Sequence, residues 1–354
     1  MHALHAFCYE ALPARIVFGA GARARLGDEL ERLGPTRALL LCTASQRALA
    51  QSLAERLGSR AAGIFSGAAM HTPVEVTAQA LRVYEEVAAD CIIAVGGGTA
   101  TGLGKAIAWR NDAPQIVLPT TYAGSEVTPV LGQTENGAKT TLRDRRVLPE
   151  VVLYDPELTL GLPVAVSIAS GLNAIAHAAE GLYARDRNPV ASLAALEGIR
   201  ALREALPALV SDPLDLLARS QAQYGAWLCG SVLGTVGMAL HHKLCHVLGG
   251  AFNLPHADTH AIVLPHVLAY NAPAAADCLR PLDELFGVAA AAGLQAFAAA
   301  VGAPRALRDI GLQESQVDQA ADLAMTSAYW NPRPLQRDAI RALLHRAWRG
   351  DPAA

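Results

Sequence analysis
The chain has 354 residues, 52% of them hydrophobic and 17% charged, and carries a formal net charge of −3. That length exceeds the usual single domain, and the composition supports a large core, so two globular domains are expected. No basic stripe exists to neutralise phosphates, which excludes a nucleic-acid binder, and no apolar run reaches the ~18 residues of a membrane-spanning helix.

The opening stretch, MHALHAFCYEALPARIVFG, has no basic segment ahead of an apolar core, and the six cysteines are scattered without a CxxC pair. Both features read as a cytoplasmic protein with reduced thiols.

In chain order, ARIVF (14–18), RALLLC (37–42), AGIF (62–65), CIIAV (91–95), QIVL (115–118) and VVLY (151–154) read as strands. Between them lie amphipathic stretches at 45–58 and 73–90. Continuous apolar strands alternating with helices predict a parallel sheet covered on both faces. After DPELTLGLP (155–163) only helical periodicity remains, with Gly or Pro breaks near 188, 213, 249–255, 272, 303 and 332. The expected organisation is an α/β domain over 1–160 and an all-helical domain over 161–354.

CIIAVGGGTATGLGKAIA (91–108) sets Gly96, Gly97, Gly98 and Thr99 between a buried strand and a helix. Glycine permits positive φ and close approach to the backbone, and the helix amides suit a pyrophosphate. The alternative is a plain tight turn, since GxGxxG in its usual place is missing. IVLPTTYAGSEVTP (116–129) follows a second strand with Thr120, Thr121 and Ser125, which either donate to phosphate and ribose oxygens or cap the next segment.

Six of the eleven histidines fall within HHKLCHVLGGAFNLPHADTHAIVLPH (241–266). Asn173 and His177 stand at i and i+4 on one predicted helix; His242 and His246 do so on another, which two glycines end. His256 follows the break. Such nitrogens converging from two helices and a loop suit Zn²⁺ or Fe²⁺, or are packed, hydrogen-bonded side chains. Against a metal, position 173 offers a neutral amide in place of an anionic ligand. His260 and His266 fit a helix face; His2, His5, His71 and His345 are expected on the surface.

Taken together, GGGT with GxGK (96–105), PTTYAGSE (119–126), DPELTxxLP (155–163), the NxxxH helix and the HxxxH–x9–H spacing resemble the iron-containing alcohol dehydrogenase family over nearly the whole chain. The resemblance implies a dehydroquinate-synthase-like fold: an α/β dinucleotide-binding domain, an all-helical second domain, NAD(P) and substrate meeting in the cleft between them, and a homodimer. Metal-dependent members have Asp where this chain has Asn173. Their other ligands would be His177, His242 and His256, with His246 catalytic.

Two further departures are Gly102 in an Asp position of the glycine motif and a shortened TTYAGSE. With NPRP (331–334), they resemble a subgroup that uses NADH or NADPH to reduce the double bond of maleylacetate, giving 3-oxoadipate in aromatic-compound degradation without requiring metal. A metal-dependent alcohol dehydrogenase, a dehydroquinate-synthase-like lyase and a nucleotide sensor are the alternatives.

For an enone flanked by two carboxylates, hydride addition puts negative charge on the ketone oxygen, which histidine donors can stabilise. His246 and His242 are the expected donors, one of them returning the proton. Lys243 and Arg333 are the candidate cations, with His241 and His256 auxiliary and Asn173 and His177 lining the substrate. Arg333 is otherwise a solvated surface charge. No carboxylate follows the second strand, where Thr43 stands, so both NADH and NADPH are expected. Lys139 reaches the cofactor phosphates or is a surface lysine.

Overall fold
The apolar runs of the first 155 residues become the strands of one sheet, and in its central strands side chains on both faces are buried under covering helices. These strands are β1 (Arg15–Phe18), β2 (Ala38–Leu41), β3 (Ala61–Phe65), β4 (Cys91–Gly96) and β5 (Gln115–Pro119). A hairpin follows, formed by β6 (Val130–Glu135) and β7 (Ala138–Arg143), before β8 (Val151–Tyr154) returns to the sheet. The order is β1-β8-β5-β4-β2-β3, every pair parallel.

Period-2 alternation divides the burial between the two faces. Leu40, Ile93, Val95, Ile116 and Leu118 pack with Leu26 and Leu30 of α1 (Leu26–Leu33) and Leu53 and Leu57 of α2 (Arg47–Leu57). Leu39, Leu41 and Ile92 pack with Ala80 of α3 (Val74–Glu86) and Leu103 and Ile107 of α4 (Gly98–Asn111). Since β2 has β3 on one side and β4 on the other, the winding reverses between β2 and β4. A crevice outside the carboxyl ends of strands at such a switch point is where ligands of open α/β sheets bind.

The computed structural model describes residues 6–12, 14–135, 138–326 and 329–353, the side chains of 138 and 139 excepted. Two compact units are formed, residues 12–162 with 214–223 in one and the remaining described residues in the other. Segment 214–223 is held in the α/β unit by Arg219, which is fully buried. Its guanidinium donates to Tyr122 Oη at 3.2 Å and to the Leu162 carbonyl at 3.0 Å, while Gln223 Nε2 donates to the Pro119 carbonyl at 3.3 Å.

Beyond residue 163 the described residues contain helices and no strand. They are α5 (Val164–Gly181), α6 (Pro189–Ser211), α7 (Leu216–Thr235), α8 (Leu240–Phe252), α9 (His256–Phe286), α10 (Ala290–Ala300), α11 (Val317–Met325) and α12 (Arg337–Arg349). The break at 188 is a helix start: the Asn188 side chain accepts from Ala191 N at 2.9 Å, and Pro189 occupies the first turn, where its missing N–H costs nothing.

Two expected breaks fall differently. Gly249 and Gly250 are passed through, and α8 ends at Asn253 in the left-handed region (φ 53°). The break near 272 is a bend within α9 at Ala275, because a proline inside a helix removes one hydrogen bond and kinks it where neighbouring packing holds both halves. Leu244, Leu248, Val263 and Val267 of α8 and α9 join Ile340 and Leu343 of α12 in one core. Among the described residues no single helix is long and apolar enough to cross a membrane.

Candidate active site
In the α/β unit, Gly96 closes β4 with φ 145°, a conformation that only glycine adopts without strain. Gly97 must also lack a side chain, since a Cβ there would lie 2.7 Å from the Thr121 side chain. Gly98 and Thr99 open α4, with Gly98 exposed, so first-turn amides face outward. Thr120 N donates to the Gly96 carbonyl at 3.1 Å, and Gln46 Nε2 reaches Thr120 Oγ1 at 3.4 Å. Thr43 follows β2 and shares a hydrogen bond with Ser45 at 3.0 Å.

The expected residues Thr43, Gly96, Gly97, Gly98, Thr99, Thr120 and Thr121 thus gather at the carboxyl ends of β2, β4 and β5. Ser125 lies beside Gly98, and its buried Oγ has no hydrogen-bond partner. An orphaned hydroxyl beside a glycine turn and exposed helix amides fits a dinucleotide phosphate. Lys139 lies in β7 opposite Thr134, and its side chain is outside the described residues.

Lys105 received no role from the sequence, yet it builds this loop. Fully buried on α4, its Nζ donates to the carbonyls of Ser125 (2.6 Å), Thr128 (2.6 Å) and Val130 (3.0 Å) and to Thr128 Oγ1 (2.9 Å). Burial pulls its pKa down to about 7, opposed by the charge of Glu126. Glu126, itself buried, accepts from Tyr154 Oη at 2.8 Å, and desolvation raises its carboxyl pKa. The Asp position of the glycine motif holds Gly102 because Thr72 is already there: a Cβ at 102 would lie 2.5 Å from Thr72 Oγ1.

In the helical unit, α5, α8 and the start of α9 bring six histidine rings together. The rings of His177 and His242 stack at 5.0 Å, His242 and His260 meet at 5.1 Å, and His256 and His260 at 4.5 Å. His246 stacks on His256 at 6.3 Å and is exposed, whereas His241, His242 and His260 are buried. Desolvation, then neighbouring histidine charge, holds the pKa of His241 and of His260 well below the usual value, so both are neutral bases at pH 7.

The residue that organises the cluster was not foreseen. Glu180, fully buried on α5, accepts from His242 Nδ1 at 2.5 Å, from His241 N at 2.8 Å and from His242 N at 3.2 Å. His242 Nε2 meets His177 Nδ1 at 2.8 Å, and His177 Nε2 meets Asn173 Nδ2 at 3.2 Å. His242, expected to donate to the substrate, therefore has both ring nitrogens engaged within the protein. His241 pairs with His260 at 2.9 Å in the same way.

The two candidate cations stand apart from these bonds. Lys243 is one residue, about 100°, round α8 from His242, and its Nζ lies 5.7 Å from the Tyr329 ring centroid. Arg333 is half-buried, lies over the Tyr270 ring at 4.4 Å and donates to the Tyr270 carbonyl at 2.9 Å, so it is anchored and is no freely solvated charge. Asn331 of the same NPRP segment exchanges amide bonds with Asn271 at 2.7 and 3.1 Å. His71 is exposed as expected, whereas His345 is half-buried with a buried Nδ1, and His2 and His5 lie outside the described residues.

Residues 13–156 match the family described as iron-containing alcohol dehydrogenase, and residues 167–348 match the C-terminal part of the Fe-containing alcohol dehydrogenase family. The chain belongs to the iron-containing alcohol dehydrogenase family. It is thus an oxidoreductase. A maleylacetate reductase of Rhizobium sp. (strain MTP-10005) is 60% identical over 97% of this chain and 98% of its own. One of Burkholderia cepacia is 54% identical over 98% and 99%. The crystal structure of maleylacetate reductase from Agrobacterium tumefaciens superposes with a TM-score of 0.97 at 60% identity, covering 99% of this chain and 100% of that one.

The family's name implies iron, which the corresponding side chains as arranged do not fit. Nitrogens that ligate one ion point at it with no proton between them, whereas His177 and His242 are hydrogen-bonded to each other. Asn173 adds no negative charge. A second group, His241, Cys245 and His260, has donor atoms within 4.8 Å of one another, but its two histidines are likewise bonded together.

Proposed function
We propose that this protein is a maleylacetate reductase, reducing the carbon–carbon double bond of maleylacetate to give 3-oxoadipate with NADH or NADPH, in the degradation of aromatic compounds. The observation that carries the reading is the 60% identity to the Rhizobium enzyme over 97% of the chain. The amide at position 173, where metal-dependent members carry a carboxylate, agrees with it.

Gly96, Gly97, Gly98 and Thr99 would hold the cofactor pyrophosphate, with Thr120, Thr121, Ser125 and Lys139 donating to its oxygens. Beside Thr43 no carboxylate repels a 2′-phosphate, so both cofactors are accepted; a preference for NADH of several hundredfold would sink that part. Bound cofactor supplies a hydride to the alkene carbon β to the ketone. The chain must then hold two carboxylates, stabilise charge on the ketone oxygen and return one proton to the neighbouring carbon. Lys243 and Arg333 take the carboxylates, a role for which a planar guanidinium anchored by Tyr270 is suited.

His246, exposed and stacked on His256, stabilises the enolate oxygen and delivers the proton, while His177 and His242 with Asn173 shape the substrate wall and His241, fully buried against His260, supports them from behind. The enzyme works without a metal, in the cytoplasm, as a homodimer. The test follows NADH absorbance with maleylacetate before and after exhaustive chelation. Undiminished turnover is expected. Loss on chelation with recovery on adding Fe²⁺ or Zn²⁺ would instead favour a metal-dependent alcohol dehydrogenase.

A further inference from the structure
We propose that Glu180 is a positioning residue that sets the tautomers of His242 and His177 through one directed chain of hydrogen bonds, and that Asn173 is the donor the chain requires at its far end. Asn173, His177 and Glu180 sit at i, i+4 and i+7 on α5 and share one face of that helix. Every link is buried.

The direction follows from what each group can do. A carboxylate that accepts from two backbone amides and an imidazole is an acceptor only, so His242 Nδ1 carries the proton in the 2.5 Å contact. In a neutral ring the other nitrogen, Nε2, is then an acceptor. Facing it at 2.8 Å is His177 Nδ1, which must therefore carry a proton. His177 Nε2 becomes an acceptor in turn, and the group facing it at 3.2 Å is the Asn173 amide nitrogen, which donates. All the hydrogens point toward Glu180, and Asn173 Oδ1 is left buried without a partner.

This ties two positions that look unrelated in the sequence. An aspartate at 173 has no hydrogen to offer His177 Nε2. The chain would have to reverse there, setting two lone pairs against each other at the His177–His242 contact unless one of the two rings gained a second proton. The amide at 173 and the carboxylate at 180 are thus one device. It locks His242 as a strut and fixes the start of α8, which also carries His246. Its effect on turnover rests on the reductase reading; its effect on the tautomers does not.

The test is two-bond 1H–15N correlation of the full-length, imidazole-labelled protein near neutral pH, without substrate, with assignments from His177→Gln and His242→Gln. Both His242 and His177 are expected as neutral Nδ1–H tautomers. Glu180→Gln and Asn173→Asp should each change those patterns and lower kcat for maleylacetate about tenfold or more, with the dissociation constant for NADH unchanged. An Nε2–H tautomer or a doubly protonated His242 in the wild-type protein overturns the proposal, as does a Glu180→Gln variant with wild-type tautomers and kcat. Nδ1–H tautomers in a protein that turns over no maleylacetate would sink the reductase reading and leave the chain standing.

Discussion

Replacing Lys105 by methionine keeps the apolar stem in its place among the α4 contacts and removes only the ammonium. Four oxygens lose its N–H groups. The Ser125 carbonyl keeps a donor, the Thr128 hydroxyl at 2.9 Å, so the loss concentrates on the Thr128 and Val130 carbonyls. A buried acceptor left without a donor costs about 1–3 kcal/mol. Two of them cost about 2–6 kcal/mol, offset in part by the desolvation that the buried ammonium no longer suffers. We therefore expect Lys105→Met to lower stability by about 2–4 kcal/mol, read from the urea unfolding midpoint and slope.

The same loop presents Thr120, Thr121 and Ser125, so loosening it should act on the cofactor. The KM for NADH is expected to rise about tenfold, with kcat at saturating NADH within a factor of about three. A variant whose stability stays within about 1 kcal/mol of wild type and whose NADH KM is unchanged would refute the argument. It would mean that the four oxygens find other donors or water.

His246→Ala should abolish reduction of maleylacetate while NADH fluorescence titrations remain as in wild type; near-normal kcat would remove His246 from its proposed role. His266, 1% exposed on α9, has its pKa lowered by burial, and secondarily by Arg346, from 6.5 to about 4. The unfolded chain therefore binds a proton that the folded chain refuses between those values, and stability falls as pH drops from 6.5 toward 4. The shift is worth about 3 kcal/mol at most, and His266→Leu should flatten the pH dependence of the urea midpoint by that order. An unchanged slope would show that His266 is not a source of the acid sensitivity.

How far the sequence could be read depended on whether an element shows itself by local pattern. Runs such as CIIAV and QIVL are buried on both faces and stand out as strands. The β6–β7 hairpin does not: VLGQTE and AKTTLR have neither a continuous apolar run nor a regular alternation, and only Asn136-Gly137 between them carries a hairpin signal. Gly249 and Gly250 suggest a helix end, but the helix continues because α9 and α11 pack against it, and the stop is set at Asn253. In the candidate site, the histidine pairs one turn apart are visible at once. Glu180 and Lys105 are not, because their meaning lies in partners 61 and 20 or more residues away. Each does leave one local trace, a charge set between small and apolar neighbours in sequence (AAEGL and LGKAI), which folding tolerates only if a partner waits there.

Arg219 and Gln223 have a consequence for synthesis. The last ties of the α/β unit, to Tyr122, Leu162 and Pro119, come from a segment that leaves the ribosome some sixty residues after the sheet is complete. At about 5–20 residues per second the nascent sheet waits several seconds for its own buried arginine, with α5 and α6 already emerging. A fragment cut at residue 162 should for the same reason be a poorer folder than its complete set of strands would lead one to expect, and supplying residues 214–223 as a separate peptide should improve it.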